Sequence, residues 1–215
     1  MGFKKKYDKL IVKVKKTLAS SPRCHDWEHT QRVIHNARLI ASKEKNCDKN
    51  IIDLGALLHD IARADEMAIK GKVCHAKKGA ELAGEILKEA GFDKKICQKV
   101  VRCVRRHRYR SDQKPIAIEE KIIYDADKLD SVGAVGLGRA FLFAGREGAK
   151  VHNTKGEAIT SSAYSENDTA YREFLVKQKD IPDKMQTNIG QEIAKKRVKF
   201  MKDFFDKLNE EIYGK

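Results

Sequence analysis

Apolar residues recur at helical spacing along almost the whole chain, and strand-like alternation is scarce. With only three prolines to interrupt it, this pattern predicts an all-α protein. Residues 4–19 read as a first amphipathic helix, with Tyr7, Leu10, Ile11, Val14 and Leu18 on one side and Ser20-Ser21-Pro22 as its stop. A second begins near Asp26, a residue able to cap the free amides of a first turn, and turns Val33, Ile34, Ala37, Ile40 and Ala41 inward. The third, capped by Asp48, is apolar nearly all round (Ile51, Ile52, Leu54, Ala56, Leu57, Leu58) and is therefore expected to be central.

Residues 64–74 read as a loop. A fourth helix, from about His75 to Ala90, carries a stripe of small residues (Ala76, Gly79, Ala80, Ala83) that implies close helix contact, and Gly91 ends it. The fifth, capped by Asp93, presents Ile96, Cys97, Val100, Val101 and Val104; the sixth, about 117–130, presents Ile118, Ile122, Ile123 and Ala126. Gly133, Gly136 and Gly138 punctuate an apolar helix that runs to Phe143. Their spacing is not that of a dinucleotide-binding loop, and no strand precedes them, so close packing is the expected role. Residues 145–168 are polar and read as a long surface loop, a candidate cover for a site. A short helix (about 169–178) and a long one (about 183–212) follow. The expectation is a single domain, with a motif core at about 20–150 and a C-terminal helical extension at about 169–212 packed on it.

Against this background one stretch stands out. The third apolar run ends in His59-Asp60, an imidazole and a carboxylate where burial makes polar groups costly unless they are paired or bind metal. Alone, the dipeptide reads as a satisfied core histidine beside a helix-terminal aspartate. His29 and Asp127 change that reading. His29 lies one turn before Val33, at the edge of an inward face. Asp127 lies one turn beyond Ile123, in the C-terminal half of its helix, where a carboxylate opposes the helix dipole unless a cation compensates it. His25-Asp26 is also a His-Asp pair, but it sits at a cap; Asp26 reads as structural and His29 as chemical. The four residues, each read as lying on a helix, offer two imidazoles and two carboxylates, a donor set suited to Mn, Fe, Ni, Co or Zn.

Composition narrows the setting. The 45 Lys+Arg against 31 Asp+Glu give a formal net charge of +14, which fits nucleic-acid binding, a pocket for phosphorylated small molecules, or solvated helix faces. Lysines are scattered and acidic residues interspersed among them, so solvated faces account for most of the charge. The five cysteines form no CxxC pair and read as reduced thiols of a cytoplasmic protein; a zinc site using Cys24 or Cys74 with His25 or His75 is disfavoured. Gly2-Phe3-Lys4-Lys5-Lys6 lacks the Ser or Thr of a myristoylation signal, and Leu10–Val14 is too short and charged for a signal or membrane helix. No membrane association is expected.

The wider phrases HDWEHTQRV (25–33), ALLHDIAR (56–63), CHAKKGA (74–80), YDADKLD (124–130) and GRAFLFAGREG (138–148) accompany the order His29, His59-Asp60, Asp127. Over roughly residues 20–150 the chain resembles the HD-domain superfamily of metal-dependent phosphohydrolases, in its YedJ/YpgQ-type branch; Cys24 stands where that branch commonly has Gly. The resemblance implies an all-α helical bundle with His29, His59, Asp60 and Asp127 around one divalent ion between central helices. Manganese is the preferred ion, with Mg, Ni, Co, Fe or Zn as alternatives. It further implies hydrolysis of nucleotides, with diphosphate released from a nucleoside triphosphate. A divalent ion in such a set activates water and polarises phosphate, and Arg63, Lys78, Arg108 and Lys128 are candidates to meet the phosphate charge. Arg63, one turn after His59, is also placed to pair with Asp60. His75 and His107 are candidates to contact phosphate or shuttle protons; a second ion, or a hydrogen-bonded helix-terminal role, are the other readings for them. Asp130 and Glu66 are weaker acid/base candidates.

Two rivals stay open. One is a nucleoside monophosphatase or cyclic-nucleotide phosphodiesterase using the same ion. The other is a basic nucleotide- or nucleic-acid-binding module with a structural metal, which the interspersed charge disfavours. The expected partner is a nucleotide or other phosphorylated small molecule, and the helix at 132–144 packs either internally or between two copies of a homodimer.

Overall fold

The computed structural model describes residues 2–19, 26–63, 75–108 and 113–214. The expectations for Ser20–Pro22, Cys24, His25, and the 64–74 loop with Glu66 and Cys74 lie outside the described residues. Every regular element among those described is helical, as the apolar periodicity predicts. The elements are α1 (Phe3–Leu18), α2 (Trp27–Ala41), α3 (Lys49–Leu58), α4 (His75–Glu89), α5 (Lys94–Arg106), α6 (Ile118–Leu129), α7 (Gly133–Arg146), α8 (Lys155–Thr160), α9 (Ala170–Val176) and α10 (Asn188–Tyr213). Two 3-10 turns, Gln178–Asp180 and Pro182–Lys184, precede α10. No helix among the described residues is long and apolar enough to cross a membrane. Contacts divide the chain into two compact units, Met1–Asp127 and Lys128–Lys215, with the boundary in the last turn of α6.

In the first unit α3 is the central element, packing on α1, α2 and α5, while α4 packs on α5. Ile51, Ile52, Leu54, Leu57 and Leu58 of α3 are all buried, so its all-round apolar surface has neighbours on every side. Each such side chain contributes on the order of 2 kcal/mol through the apolar area it removes from water. Gly55 lets α3 come close to α5 and α6: a Cβ there would meet Cys103 Cβ and Ile123 Cγ1 at 3.2 Å.

Helix starts in this unit are fixed by carboxylates. Asp26 accepts from the His29 amide at 3.0 Å, Asp48 from Asn50 and Ile51, and Asp93 from Lys95 and Ile96. Beyond α4 the chain turns at Gly91 with φ 72°, and the Phe92 amide donates back to the Leu87 carbonyl, which satisfies a free end of the helix. Buried Glu120 closes the start of α6. It accepts from the Ile116 and Ala117 amides and from Arg102 and Arg106 of α5, so one carboxylate locks two helices together.

The second unit is held by α7 and α10, with α9 packed on α7 and α8. The close packing expected of the glycines is real at two of them. At Gly136 a Cβ would lie 2.3 Å from the backbone carbon and oxygen of Ser131; at Gly133, with φ 79°, it would press on the Arg197 side chain. Gly138 meets nothing within 4 Å. Arg197 donates to the Leu129 carbonyl at 2.6 Å and Arg139 to the Asp130 carboxylate at 2.6 Å. Asp130, a weak acid/base candidate from sequence, therefore has a structural partner. Phe205 gathers Phe141, Tyr171 and Phe174 around it, with ring centroids 5.0–6.4 Å away. The stretch expected as a loop contains α8, built on a reciprocal cap between Thr154 and Glu157 and burying Ala158.

Candidate metal centre

Six polar side chains converge in the first unit, and each is delivered by the end of a helix. His29 is the third residue of α2; the Asp26 cap holds its amide while the imidazole is fully buried. His59 and Asp60 were expected on a helix. Instead α3 ends at Leu58, and the chain continues in a tight turn, with Ile61 N donating to Leu58 O and Arg63 N to Asp60 O. His59 still has αR backbone angles (φ −54°, ψ −40°) as the cap of α3, and its side chain and that of Asp60 face one centre from the start of the turn. His75 opens α4, His107 caps the end of α5, and Asp127 lies in the last turn of α6.

Nε2 of His29 and Nε2 of His59 are 3.1 Å apart. Nδ1 of His59 faces the Ala56 carbonyl at 2.8 Å and donates its proton there, leaving the Nε2 lone pair directed at His29. Asp127 Oδ1 stands 3.6 Å from His29 Nε2, and Asp60 Oδ2 3.6 Å from the same atom and 3.8 Å from His59 Nε2. A second cluster repeats the arrangement. His75 and His107 bring their Nε2 atoms to 3.2 Å, and His107 donates Nδ1–H to the Val104 carbonyl at 2.6 Å. Asp60 joins the clusters: its other oxygen, Oδ1, is 3.3 Å from His75 Nε2 and 3.5 Å from His107 Nε2.

The ligand atoms of His29, His59 and Asp127 all lie within 4.8 Å of one another, and so do those of Asp60, His75 and His107. Ligands about 2.1 Å from an octahedral ion sit about 3 Å from their cis neighbours, close to the nitrogen–nitrogen separations here. The electrostatics point the same way. Burial pulls the His59 imidazole down to about 4, against the opposing pull of Asp60. Burial likewise takes His75 down to about 2; Asp60 opposes this, while His107, Arg63 and Arg108 reinforce it. Both rings are thus neutral at physiological pH, and converging neutral nitrogens beside carboxylates are what a divalent cation requires. The residues fit the metal that the sequence implied.

The cationic candidates divide. Nη1 of Arg63 contacts the His75 ring, 2.9 Å from Nδ1. Arg108 follows His107 directly and is near enough to act on His75. Lys78 is exposed on α4, three residues beyond His75. Lys128 follows Asp127 on α6 and begins the second unit. Sequence reasoning did not find the Ala56 and Val104 carbonyls, which carry no side-chain signal. It also did not find the Asn36 amide, which donates to the Ala126 carbonyl at 3.2 Å and ties α2 to α6 beside Asp127.

A model of the HD domain matches residues 26–132. The uncharacterized protein YpgQ of Bacillus subtilis (strain 168) is 30% identical over 214 residues, spanning 98% of this chain and 95% of its own. The crystal structure of B. subtilis YpgQ in complex with ADP superposes with a TM-score of 0.74 at 28% identity, covering 98% of this chain and 97% of the other. An HD-superfamily hydrolase from Bacillus thuringiensis gives 0.77 at 25% identity over the full length of both chains. A predicted HD-superfamily hydrolase from an uncultured Thermotogales bacterium gives 0.68 at 30% identity, over 95% of this chain and 91% of the other. With that likeness running through nearly all of its length, the chain belongs to the YpgQ-type branch of the HD-domain superfamily of metal-dependent phosphohydrolases.

Proposed function

We propose that the chain hydrolyses nucleoside triphosphates to the monophosphate and diphosphate, using one divalent ion held by His29, His59, Asp60 and Asp127, with manganese preferred. The observation that carries this reading is the convergence of two buried imidazole nitrogens to 3.1 Å beside Asp60 and Asp127, with the His59 proton committed to the Ala56 carbonyl. That a YpgQ structure was solved with ADP supports a nucleotide as the ligand.

When bound, such an ion supplies a water of lowered pKa and a positive charge for a phosphate oxygen. The chain's own residues supply the rest. The Asp26 cap and the Ala56 carbonyl fix the two imidazoles, so the donor set needs little reorganisation. His75 and His107, their Nε2 atoms 3.2 Å apart, contact a phosphate oxygen or relay a proton to the leaving group. Arg63 and Arg108 meet the charge that develops on phosphorus-bound oxygens, with Lys78 and Lys128 as outer cations. The cytoplasm is the compartment that suits a nucleotide substrate and reduced thiols.

The second triad favours one alternative, a two-ion phosphodiesterase built on Asp60, His75 and His107 as well. Product identity separates the readings. With Mn²⁺ and a panel of nucleotides, diphosphate release from a triphosphate supports the proposal. Orthophosphate from a monophosphate, or ring opening of a cyclic nucleotide, replaces it with the alternatives. Turnover unchanged in His59→Ala or Asp60→Ala rejects the metal mechanism altogether.

A further inference from the structure

Asp60 Oδ1, His75 Nε2 and His107 Nε2 form a donor set as compact as the first, with separations of 3.2, 3.3 and 3.5 Å. A guanidinium stands against it. Nη1 of Arg63 is 2.9 Å from Nδ1 of His75 and 3.4 Å from its Nε2. In an imidazole the two nitrogens flank Cε1, so a donor in line with the Nδ1 lone pair would be far from Nε2. Comparable distances to both put Nη1 over the face of the ring.

A cation over the face of a neutral imidazole is attracted by its electron density. If the same ring gave its Nε2 lone pair to a divalent ion, that density would be withdrawn and the contact would become repulsive. Charge balance adds to this. One divalent ion neutralises Asp60 and Asp127, and Arg63 leaves the group with a single positive charge. A second ion would raise that to three among side chains that, Asp127 and Arg63 apart, are almost wholly shielded from water. Arg108 adds further positive charge from the His107 side.

We propose that Arg63 restricts the centre to one divalent ion, its guanidinium filling beside His75 the place in the charge balance that a second ion would take. This rests on the reading of His29, His59, Asp60 and Asp127 as the ligands of the first ion. It makes Arg63 a determinant of metal stoichiometry, and it leaves Asp60 Oδ1, His75 and His107 available to substrate.

The test is the number of Mn²⁺ ions retained per chain, by equilibrium dialysis with metal analysis, read alongside the Mn²⁺ electron paramagnetic resonance spectrum. The full-length wild type is expected to hold one ion with an uncoupled spectrum. Arg63→Met, which keeps the aliphatic stem and removes the charge, is expected to hold two with a spin-coupled spectrum, the second bound at least 100-fold tighter than in the wild type. Arg63→Lys, and Arg63→Met combined with His75→Ala, are both expected to return to one. Arg63→Ala, checked for helicity by circular dichroism, substitutes for Arg63→Met should that variant fail to fold. Two ions in the wild type or in Arg63→Lys, one in folded Arg63→Met or Arg63→Ala, or two in the double variant would each overturn the proposal. One ion in both wild type and Arg63→Met refutes this inference alone, whereas no ion in the wild type refutes the metal centre itself.

Discussion

Nε2 of His29 and Nε2 of His59 face each other at 3.1 Å, although 30 residues separate them along the chain. The His59 Nδ1 proton is given to the Ala56 carbonyl, so the Nε2 lone pair of that ring faces His29. That lone pair is met either by an Nε2–H of the His29 ring, in a neutral hydrogen bond, or by a cation held between the two rings. Burial holds His59 near 4, so at neutral pH its ring is uncharged and its Nε2 lone pair is open to a divalent cation.

Loss of a donor should be felt first as loss of metal. Asp127→Asn keeps the shape of the side chain and removes its charge; Mn²⁺ affinity is expected to fall on the order of 100-fold or more. Isothermal titration of the chelator-treated protein checks this, and an unchanged affinity would remove Asp127 from the ligand set.

Metal binding should also be visible as stability. An ion that binds only the folded chain stabilises it by about 2.7 kcal/mol at 100 times its dissociation constant. Mn²⁺ is expected to raise the melting temperature of chelator-treated protein, and His29→Ala to abolish the rise while leaving the helical signal intact. A shift of the same size in His29→Ala would contradict the site.

Without metal, stability should depend on pH in a defined direction. His59 and His75 titrate near 6.5 when unfolded but are held down to about 4 and about 2 in the folded chain. The unfolded state then binds more protons as pH drops below about 6.5, so this contribution is complete above that pH and is lost as pH falls toward about 4. Urea denaturation in chelator at pH 7.5, 6.0 and 5.0 is expected to show a falling midpoint. Equal midpoints would mean that the rings are not buried as neutral groups.

The helix caps give a separate check on how His29 is placed. Asp26→Ala is expected to cost about 1 kcal/mol and Asp26→Asn much less, because Asn caps nearly as well. In the second unit Gly136→Ala should be destabilising although alanine favours a helix by about 1 kcal/mol, since its Cβ would overlap the Ser131 backbone, which cannot yield as a side chain could. Denaturant midpoints of the three variants decide both points.

Much of this was legible in the chain because it followed from local chemistry. Asp26, Asp48 and Asp93 each precede an apolar-periodic run, and each accepts from the first turn of its helix. His29, His59 and Asp127 were visible as polar residues in line with buried faces, which few forces other than metal or pairing tolerate. What stayed hidden depends on contacts distant in sequence. The two oxygens of Asp60 serve two histidine pairs, and nothing in the phrase LLHDIAR shows that His75 and His107 come to meet the second of them. The contact of Arg63 with His75 crosses twelve positions and appears only when α3 and α4 are placed. The α8 helix had a signal that was passed over: Thr154 and Glu157 stand at the spacing of a capping box, but the polar composition around them read as loop.

The central claim is that His29, His59, Asp60 and Asp127 grip one ion, and anomalous diffraction from crystals grown with Mn²⁺ tests it most directly. The account predicts a strong manganese peak about 2.2 Å from Nε2 of His29 and of His59, in contact with a carboxylate oxygen of Asp60 and of Asp127. A peak held by other side chains, or ordered side chains at these four positions with no peak among them, would contradict it.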